Sequence, residues 1–279
     1  MAVFADLHLH TNASDGSDSP ERVVERALEV GVRVIAVTDH DTVSGVRRAM
    51  ERAAGTETRV FSGIELTTDF AGRELHLLGY GVAIANEALR AHCRVVETKR
   101  RARFEAMLEK LARLGVAVES DAILSRVEGS VPSRLHLAQA LVEAGHVAHL
   151  EEAFTQYLRD NGPACVSLNA CATPDGIDLV HAAGGVAVLA HPGLSEAFPL
   201  VGDLVRAGLD GVEVWHSGHS EKMRGLATAA AEQFGLMKTG GSDCHGTAGG
   251  KMPLLGKTGM QRHEYEKFLR KAPDVFGGC

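Results

Sequence analysis

Val3-Phe4-Ala5-Asp6-Leu7-His8-Leu9-His10 and, one capped helix later, Val32-Arg33-Val34-Ile35-Ala36-Val37-Thr38 decide the fold. The first run alternates, with Asp6, His8 and His10 on one face and Leu7 and Leu9 on the other, as a strand requires. Between the runs Ser19 is placed as an N-cap and Pro20 at the first helical position. Val23, Val24, Ala27 and Leu28 form the apolar stripe, and Gly31 is the stop. The second run is almost continuously apolar, the pattern of a strand covered by helices on both faces. Asp41 or Thr42 is positioned to cap the next helix, which runs through Met50 or a little beyond.

Working outward, Val60–Thr67 and Glu74–Val82 read as further strands. The later chain repeats the scheme: helix Pro174–Ala183, strand Gly185–Ala190, helix Val201–Ala207, strand Gly211–Trp215, helix Glu221–Phe234 and strand Leu236–Gly240. This alternation predicts an α/β architecture closed as a parallel barrel. Residues 85–164 break the rhythm with three helical stretches, Leu89–Leu114, Leu135–Ala144 and Leu150–Leu158. The expected organisation is therefore a barrel made of residues 1–84 and 165–279, interrupted by a helical insertion at 85–164.

Composition narrows the function classes. At 279 residues and 45% hydrophobic content the chain can bury a sizeable core. A net charge of −7 argues against coating long nucleic acid, though not against a small anionic substrate met by local cations. No apolar run is long enough to span a bilayer, and Met1–Asp6 lacks the basic start of a secretory signal. Five cysteines without a C-x-x-C pair read as reduced thiols, so a cytoplasmic location is expected, with no obligate protein partner. Gly-x-Ser-x-Gly is absent, leaving covalent serine catalysis unsupported.

Histidines and carboxylates recur at strand-like termini, and together they are the donor set of divalent transition metals. His8 and His10, two apart on a strand, aim the same way. Glu65 and His76 interrupt apolar strands, where an unpaired ionisable group is costly. His191 ends Val186–Ala190, and Asp243 and His245 follow Gly240-Gly241, read as a turn that lets a metal approach closely. Asp6, Asp39 and Asp41 are better suited to capping and to hydrogen bonds with ligand histidines than to direct ligation.

The ordered series D-L-H-x-H, S-D-G, T-D-H-D, G-I-E, H-x-L-G-Y, A-H-P and G-S-D-x-H resembles the polymerase and histidinol phosphatase (PHP) family. The resemblance implies a distorted (β/α)7 barrel with a trinuclear site. Its ligands would be His8, His10, Asp15, His40, Glu65, His76, His191, Asp243 and His245. Glu65 would bridge two ions, and Asp15, His40 and His245 would hold the third. Clustered ions draw the pKa of a bridging water toward neutrality, supplying a hydroxide nucleophile, and neutralise phosphoryl oxygens. Mn²⁺ is preferred, with Fe²⁺ or Zn²⁺ as alternatives.

For the substrate, Ser133-Arg134-Leu135-His136 enters a helix and resembles the G-R-x-H segment of the branch with nucleotide phosphoesterases and a 5′-to-3′ exonuclease. Cys165 departs from that branch, where a tyrosine is usual, which removes an aromatic stacking contact there. Lys99, Arg100, Arg101 and Arg103 read first as a solvated helix face, with Lys99 a candidate for the substrate, as is Lys251. His216 and Asp243 are the candidate catalytic residues, His216 as a proton donor or a structural ring. His92, His146, His149, His181, His219 and His263 read as ordinary. The activity expected is hydrolysis of the 3′-phosphate of a nucleoside 3′,5′-bisphosphate, Arg134 gripping the 5′-phosphate. The alternatives are a 5′-to-3′ exonuclease on short oligonucleotides, a histidinol phosphatase and a non-catalytic metal-binding module.

Overall fold

The computed structural model describes residues 2–119, 123, 125, 127, 129–168, 170–247 and 253–276. Seven strands lie side by side in chain order: β1 (Ala5–Leu9), β2 (Val34–Val37), β3 (Arg59–Phe70), β4 (Arg73–Tyr80), β5 (Val186–Leu189), β6 (Gly211–His216) and β7 (Met237–Gly241). The ring closes where Asp243 N donates to His8 O at 2.9 Å and His10 N to Cys244 O at 3.1 Å. Gly241 makes that closure possible, since a Cβ there would lie 2.3 Å from His8 N. Gly240 similarly abuts Trp215. The glycine pair thus ends β7 and lets strands approach, where a turn admitting a metal was expected.

The barrel is mixed, where an all-parallel one was expected. β4 pairs antiparallel with both β3 and β5. The reason is the connection: only Ala71 and Gly72 join β3 to β4, at φ 55° and 81°. A two-residue turn with both φ positive makes a hairpin, whereas a parallel crossover needs a dozen residues or more.

Helix α1 (Pro20–Val30) starts on Ser19, whose hydroxyl accepts from Arg22 N, and stops at Gly31 with φ 77°. Helix α2 (Val46–Ala53) starts at Gly45 without a side-chain cap. Asp41 is unavailable to cap it, because its carboxylate is committed to Thr67 N and Arg100. Between β4 and β5 come α3 (Glu87–Arg113), α4 (Arg134–Glu143) and α5 (Leu150–Ala153), the last continuing into a π-helical turn over Phe154–Leu158. Phe104, Met107, Leu111, Leu137, Leu141 and Leu158 form an apolar cluster of their own there. The remaining helices are α6 (Thr173–Ala182), α7 (Val201–Arg206), α8 (Glu221–Phe234), α9 (Arg262–Lys271) and α10 (Pro273–Phe276). Those flanking β5 to β7 cover a core of Leu77, Leu189, Val212 and Val214. Among the described residues no helix is long and apolar enough to cross a membrane.

Candidate metal centre and substrate cavity

Nine side chains from across the sequence meet at one end of the barrel. His8 Nε2 lies 3.3 Å from Glu65 Oε2 and 3.4 Å from Asp243 Oδ1, and His10 Nε2 lies 3.2 and 3.1 Å from the same atoms. His40 Nδ1 is 3.0 Å from Glu65 Oε2, while His76 Nδ1 and His191 Nε2 are 2.9 and 3.1 Å from Glu65 Oε1. Asp15 Oδ1 is 3.2 Å from His245 Nε2. Glu65 is thus the hub. Four overlapping groups have donor atoms close enough to hold an ion: His10, Asp15, His40 and His245; His8, His10, Glu65 and Asp243; His40, Glu65 and His76; and, behind them, His8, Glu213 and His216.

The local folding explains the convergence. His8 and His10 leave β1 on its inward face. His76 sits in the first half of β4, but β4 runs backwards, so its beginning lies at the exit ends of the parallel strands. Asp41, His191 and Asp243 adopt φ of 51°, 27° and 53°, backbone geometry that L residues rarely take and that concentrates where a site over-determines it.

The donor atoms fit cations. His8 Nε2, both ring nitrogens of His10, His40 Nδ1, His191 Nδ1 and Glu65 Oε2 are buried without a hydrogen-bond partner. Such atoms are costly unless something else satisfies them. His245 Nδ1 lies 3.0 Å from Asp243 O and donates there, so that when the proton facing Asp15 gives way to a cation, Nε2 is the nitrogen that offers its lone pair. The titration behaviour agrees. Burial opposes ionisation of Asp15, Glu65 and Asp243, yet the surrounding imidazoles hold all three well below the carboxylate range. Burial likewise opposes protonation of His76 and His245, but Glu65 and Asp15 respectively push them up to about 10. Protons occupy the places that cations suit.

A residue missed in the sequence orders this cluster. Glu213, fully buried in β6, accepts from His8 Nδ1 at 3.0 Å through Oε1 and from His191 N at 2.8 Å through Oε2. That fixes His8 with its proton on Nδ1 and its lone pair on Nε2, facing the cluster. Asp6, Asp39 and Asp41 do not play this part. Asp6 accepts from Ser242 N and Gly256 N, Asp39 from Thr11 and Ser14, and Asp41 from Thr67 N and Arg100. They shape the loops that carry the histidines rather than the histidines themselves.

His216 is 2% exposed and stands behind Asp243. Gly218 N donates to its Nδ1 at 3.0 Å, so the ring proton sits on Nε2, 3.2 Å from Asp243 Oδ2. His216 is not among the described residues lining the cavity, which favours the structural ring over the proton donor. His219, read as ordinary, ties the His191 loop to β6: Gly193 N donates to its Nε2, and its Nδ1 lies 3.0 Å from Val214 O.

In front of the cluster lies a cavity of about 340 Å³, lined by Asp15, His40, His76, Asp243 and His245 and also by Arg100, Arg103 and Arg134. Arg100 and Arg103 are buried, not solvated, with Arg100 held by Asp41 and Thr67. Arg134 donates to Glu74 Oε1 at 2.9 Å and to Asp160 Oδ1 at 2.5 Å. Arg103 Nη1 lies 3.8 Å from Glu74 Oε2, and its buried Nε has no hydrogen-bond partner. Ser133 lines the cavity but spends its hydroxyl as the α4 cap, and His136 Nδ1 accepts from Ser133 N in the same capping box. Burial keeps His136 below the usual imidazole value. Lys99 donates to Ala170 O and is exposed, away from the described lining. Lys251 lies outside the described residues. Cys165 borders a separate polar cavity, whereas Phe154 brings an aromatic ring to this one.

The PHP domain family model matches residues 6–159. A phosphoribosyl 1,2-cyclic phosphate 1,2-diphosphodiesterase from Eggerthella lenta is 35% identical over 258 residues, 91% of this chain and 98% of that protein. A 5′-3′ exoribonuclease from Haemophilus influenzae is 32% identical, covering 88% of this chain and 91% of its own. A 3′,5′-nucleoside bisphosphate phosphatase from Chromobacterium violaceum is 30% identical, covering 86% of each. Among solved structures, a Bifidobacterium adolescentis protein described as a metal-dependent phosphoesterase superposes with a TM-score of 0.87 at 29% identity, covering 98% of each chain. With that family match, that coverage and a donor cluster built for cations, the chain belongs to the PHP family of metal-dependent phosphoesterases.

Proposed function

We propose that this chain removes the 3′-phosphate from nucleoside 3′,5′-bisphosphates, using three divalent cations, preferably manganese, held by the nine-residue cluster. The observation that carries the reading is the meeting of that cluster with three guanidiniums, Arg100, Arg103 and Arg134, in one cavity of about 340 Å³. That volume is at the lower end for small-molecule sites and suits a mononucleotide. Divalent cations bound there supply Lewis acidity toward the phosphoryl oxygens and activate a water. The chain's own groups do the rest. Arg103, with its unpartnered Nε, and Arg134 grip the 5′-phosphate, and Glu74 sets the angle between them. Phe154 offers a face to the base. His216 holds the Asp243 carboxylate in place. The three relatives named above all take their names from ribose phosphate esters, which supports this substrate class.

The test is a rate comparison in manganese between adenosine 3′,5′-bisphosphate and adenosine 3′-monophosphate. Charge-assisted hydrogen bonds are worth about 1.5–3 kcal/mol. The bisphosphate is therefore expected to have a kcat/KM higher by about 10- to 100-fold. Equal values would remove the 5′-phosphate anchor.

A further inference from the structure

Arg103 and Glu74 border the substrate cavity on one side and a second cavity of about 520 Å³ on the other. We propose that Cys165, which borders the second cavity, exchanges with small disulfides that carry carboxylates, and that the resulting mixed disulfide captures Arg103 from behind. The effect on catalysis rests on reading Arg103 as the anchor of a substrate phosphate; the exchange itself does not.

The thiols differ in setting. Burial pushes Cys93 and Cys171 up to about 12, which holds them as inert thiols. Cys244 is buried in the apolar cluster beside α1. Cys165 is partly exposed and has cations around it. Lys110 Nζ donates to Cys165 O at 2.6 Å, and charge on the Cys165 sulfur acts on both Arg103 and Arg134. A partly exposed thiol among cations is the setting in which cysteines react.

Arg103 supplies the reason for a carboxylate. Its side chain is 8% exposed, its Nε has no hydrogen-bond partner, and its one ion pair among the described residues, with Glu74 Oε2, is long at 3.8 Å. A buried guanidinium so weakly matched selects an anion. The carboxylates of the second cavity do not meet the need. Glu74 and Asp160 are held by Arg134, Asp69 accepts from Gly72 N, and Glu196 is exposed. Ser195 Oγ, buried without a partner, is a further donor on the same lining. The described lining has hydroxyls and no aromatic ring, which suits a polar, peptide-like disulfide.

In the exchange, the Cys165 thiolate attacks one sulfur of the disulfide. The new S–S bond to Cys165 forms as the reagent's own S–S bond breaks, and the bonding pair leaves on the second half as a thiolate. That half takes the proton that Cys165 gave up, so the protein thiol is oxidised and one half of the reagent is reduced. A carboxylate of the bound half then pairs with Arg103 and competes with the substrate phosphate on the other face of the wall.

The test treats the intact protein with oxidised glutathione or, at equal concentration, with the dicationic disulfide cystamine, and follows each cysteine by peptide mass spectrometry. Glutathione is expected to join Cys165 about 10-fold or more faster than Cys93 or Cys171. It should also join Cys165 about 10-fold faster than cystamine does, as one charge-assisted hydrogen bond implies. Arg103→Met should remove the preference for the anionic reagent while leaving Cys165 reactive. Treated wild type should lose about 10-fold in kcat/KM on adenosine 3′,5′-bisphosphate and regain it with dithiothreitol, while treated Cys165→Ser loses nothing. No adduct on Cys165, or equal rates with cystamine, would overturn the proposal. Equal loss of activity in treated Cys165→Ser would overturn the capture of Arg103. A wild type inactive on the bisphosphate before treatment would strike the substrate reading, and the adduct rates would still decide Cys165.

Discussion

Replacing Glu213 with Gln tests whether the cluster is held ready for cations. The carboxylate makes two buried contacts at once, with His8 Nδ1 at 3.0 Å and His191 N at 2.8 Å. An amide has one acceptor oxygen, so Gln can satisfy only one of these donors and must turn its NH₂ toward the other. Facing His191 N, the NH₂ meets a backbone donor that cannot give way, on a residue already held at φ 27°. Facing His8, it drives the imidazole proton from Nδ1 to Nε2 and removes the lone pair aimed at Glu65 and Asp243. Either outcome loses a charge-assisted hydrogen bond of about 1.5–3 kcal/mol. Outer partners of metal-binding histidines change affinity by about 10- to 100-fold, the same range. Manganese titration by calorimetry with chelator competition should therefore give a Kd weaker by about 10- to 100-fold. kcat at saturating manganese should recover to within about threefold, since Glu213 is not in the described cavity lining. Glu213→Asp should lie between the two, keeping both acceptors at the wrong reach. A folded Glu213→Gln protein with unchanged manganese affinity would refute this account.

Three further outcomes follow from the same geometry. Arg103→Met keeps the packing of the buried stem but removes the unpartnered Nε; kcat/KM on the bisphosphate should fall by about 10- to 100-fold while adenosine 3′-monophosphate is hardly affected, and equal losses on both would contradict the anchor. His76 and His245 are pushed up to about 10 in the metal-free protein, so both carry protons at pH 7 and must release them to bind metal. Affinity should then rise with pH below about 10, and calorimetry in buffers of different ionisation enthalpy should show net proton release from these two rings and from His8 and His10, which their carboxylate neighbours also hold above the ordinary imidazole value; no buffer dependence would rule this out. Gly241→Ala places a Cβ 2.3 Å from His8 N and forces β7 away from β1. A cost of about 3 kcal/mol or more should appear as a Tm lower by about 6–12 °C, and an unchanged Tm would show the closure to be looser than described.

Most of the nine side chains that meet were legible because they sit as polar residues where an apolar run ends or is interrupted; Asp15, in the polar loop after β1, came only from the ordered motifs of the family. Glu213 carried the same signal, flanked by Val212 and Val214, but lies in no motif, so only its place in β6 beneath His8 reveals it. Arg100 and Arg103 were hidden for a different reason. Read as part of a charged run they look solvated, yet Val96, Arg100, Arg103 and Met107 recur at the four- and three-residue spacing of one helical face, and all four are buried. The periodicity was present; the charge outweighed it. The reversed strand had its clue in Ala71-Gly72, a linker too short for a crossover. What no local pattern contains is the pairing that seats Arg100 at the cavity, since Asp41 and Arg100 lie 59 positions apart.

The reversed strand and the arginines are one design. Because β4 runs antiparallel to its neighbours, its last residue, Tyr80, lies at the end of the barrel opposite the metal cluster. The chain therefore leaves the barrel on the wrong side. Ala83 N donates to Ala183 O and Asn86 Nδ2 to Ala182 O, which pins the start of α3 beside the residues that lead into β5. To reach the cluster the chain must climb the barrel wall. Helix α3 does so in 27 residues, about 40 Å at 1.5 Å each. Its first turns pack Leu89 against the barrel core, and its middle delivers Arg100 to Asp41 and Thr67 at the mouth. Its last turns enter the cluster around Phe104, Met107 and Leu111 that roofs the cavity with α4 and Phe154. A parallel β4 would have released the chain at the mouth and made so long a helix unnecessary. The same reversal that turns His76 toward the metals thus dictates the helix that carries the arginines to the substrate.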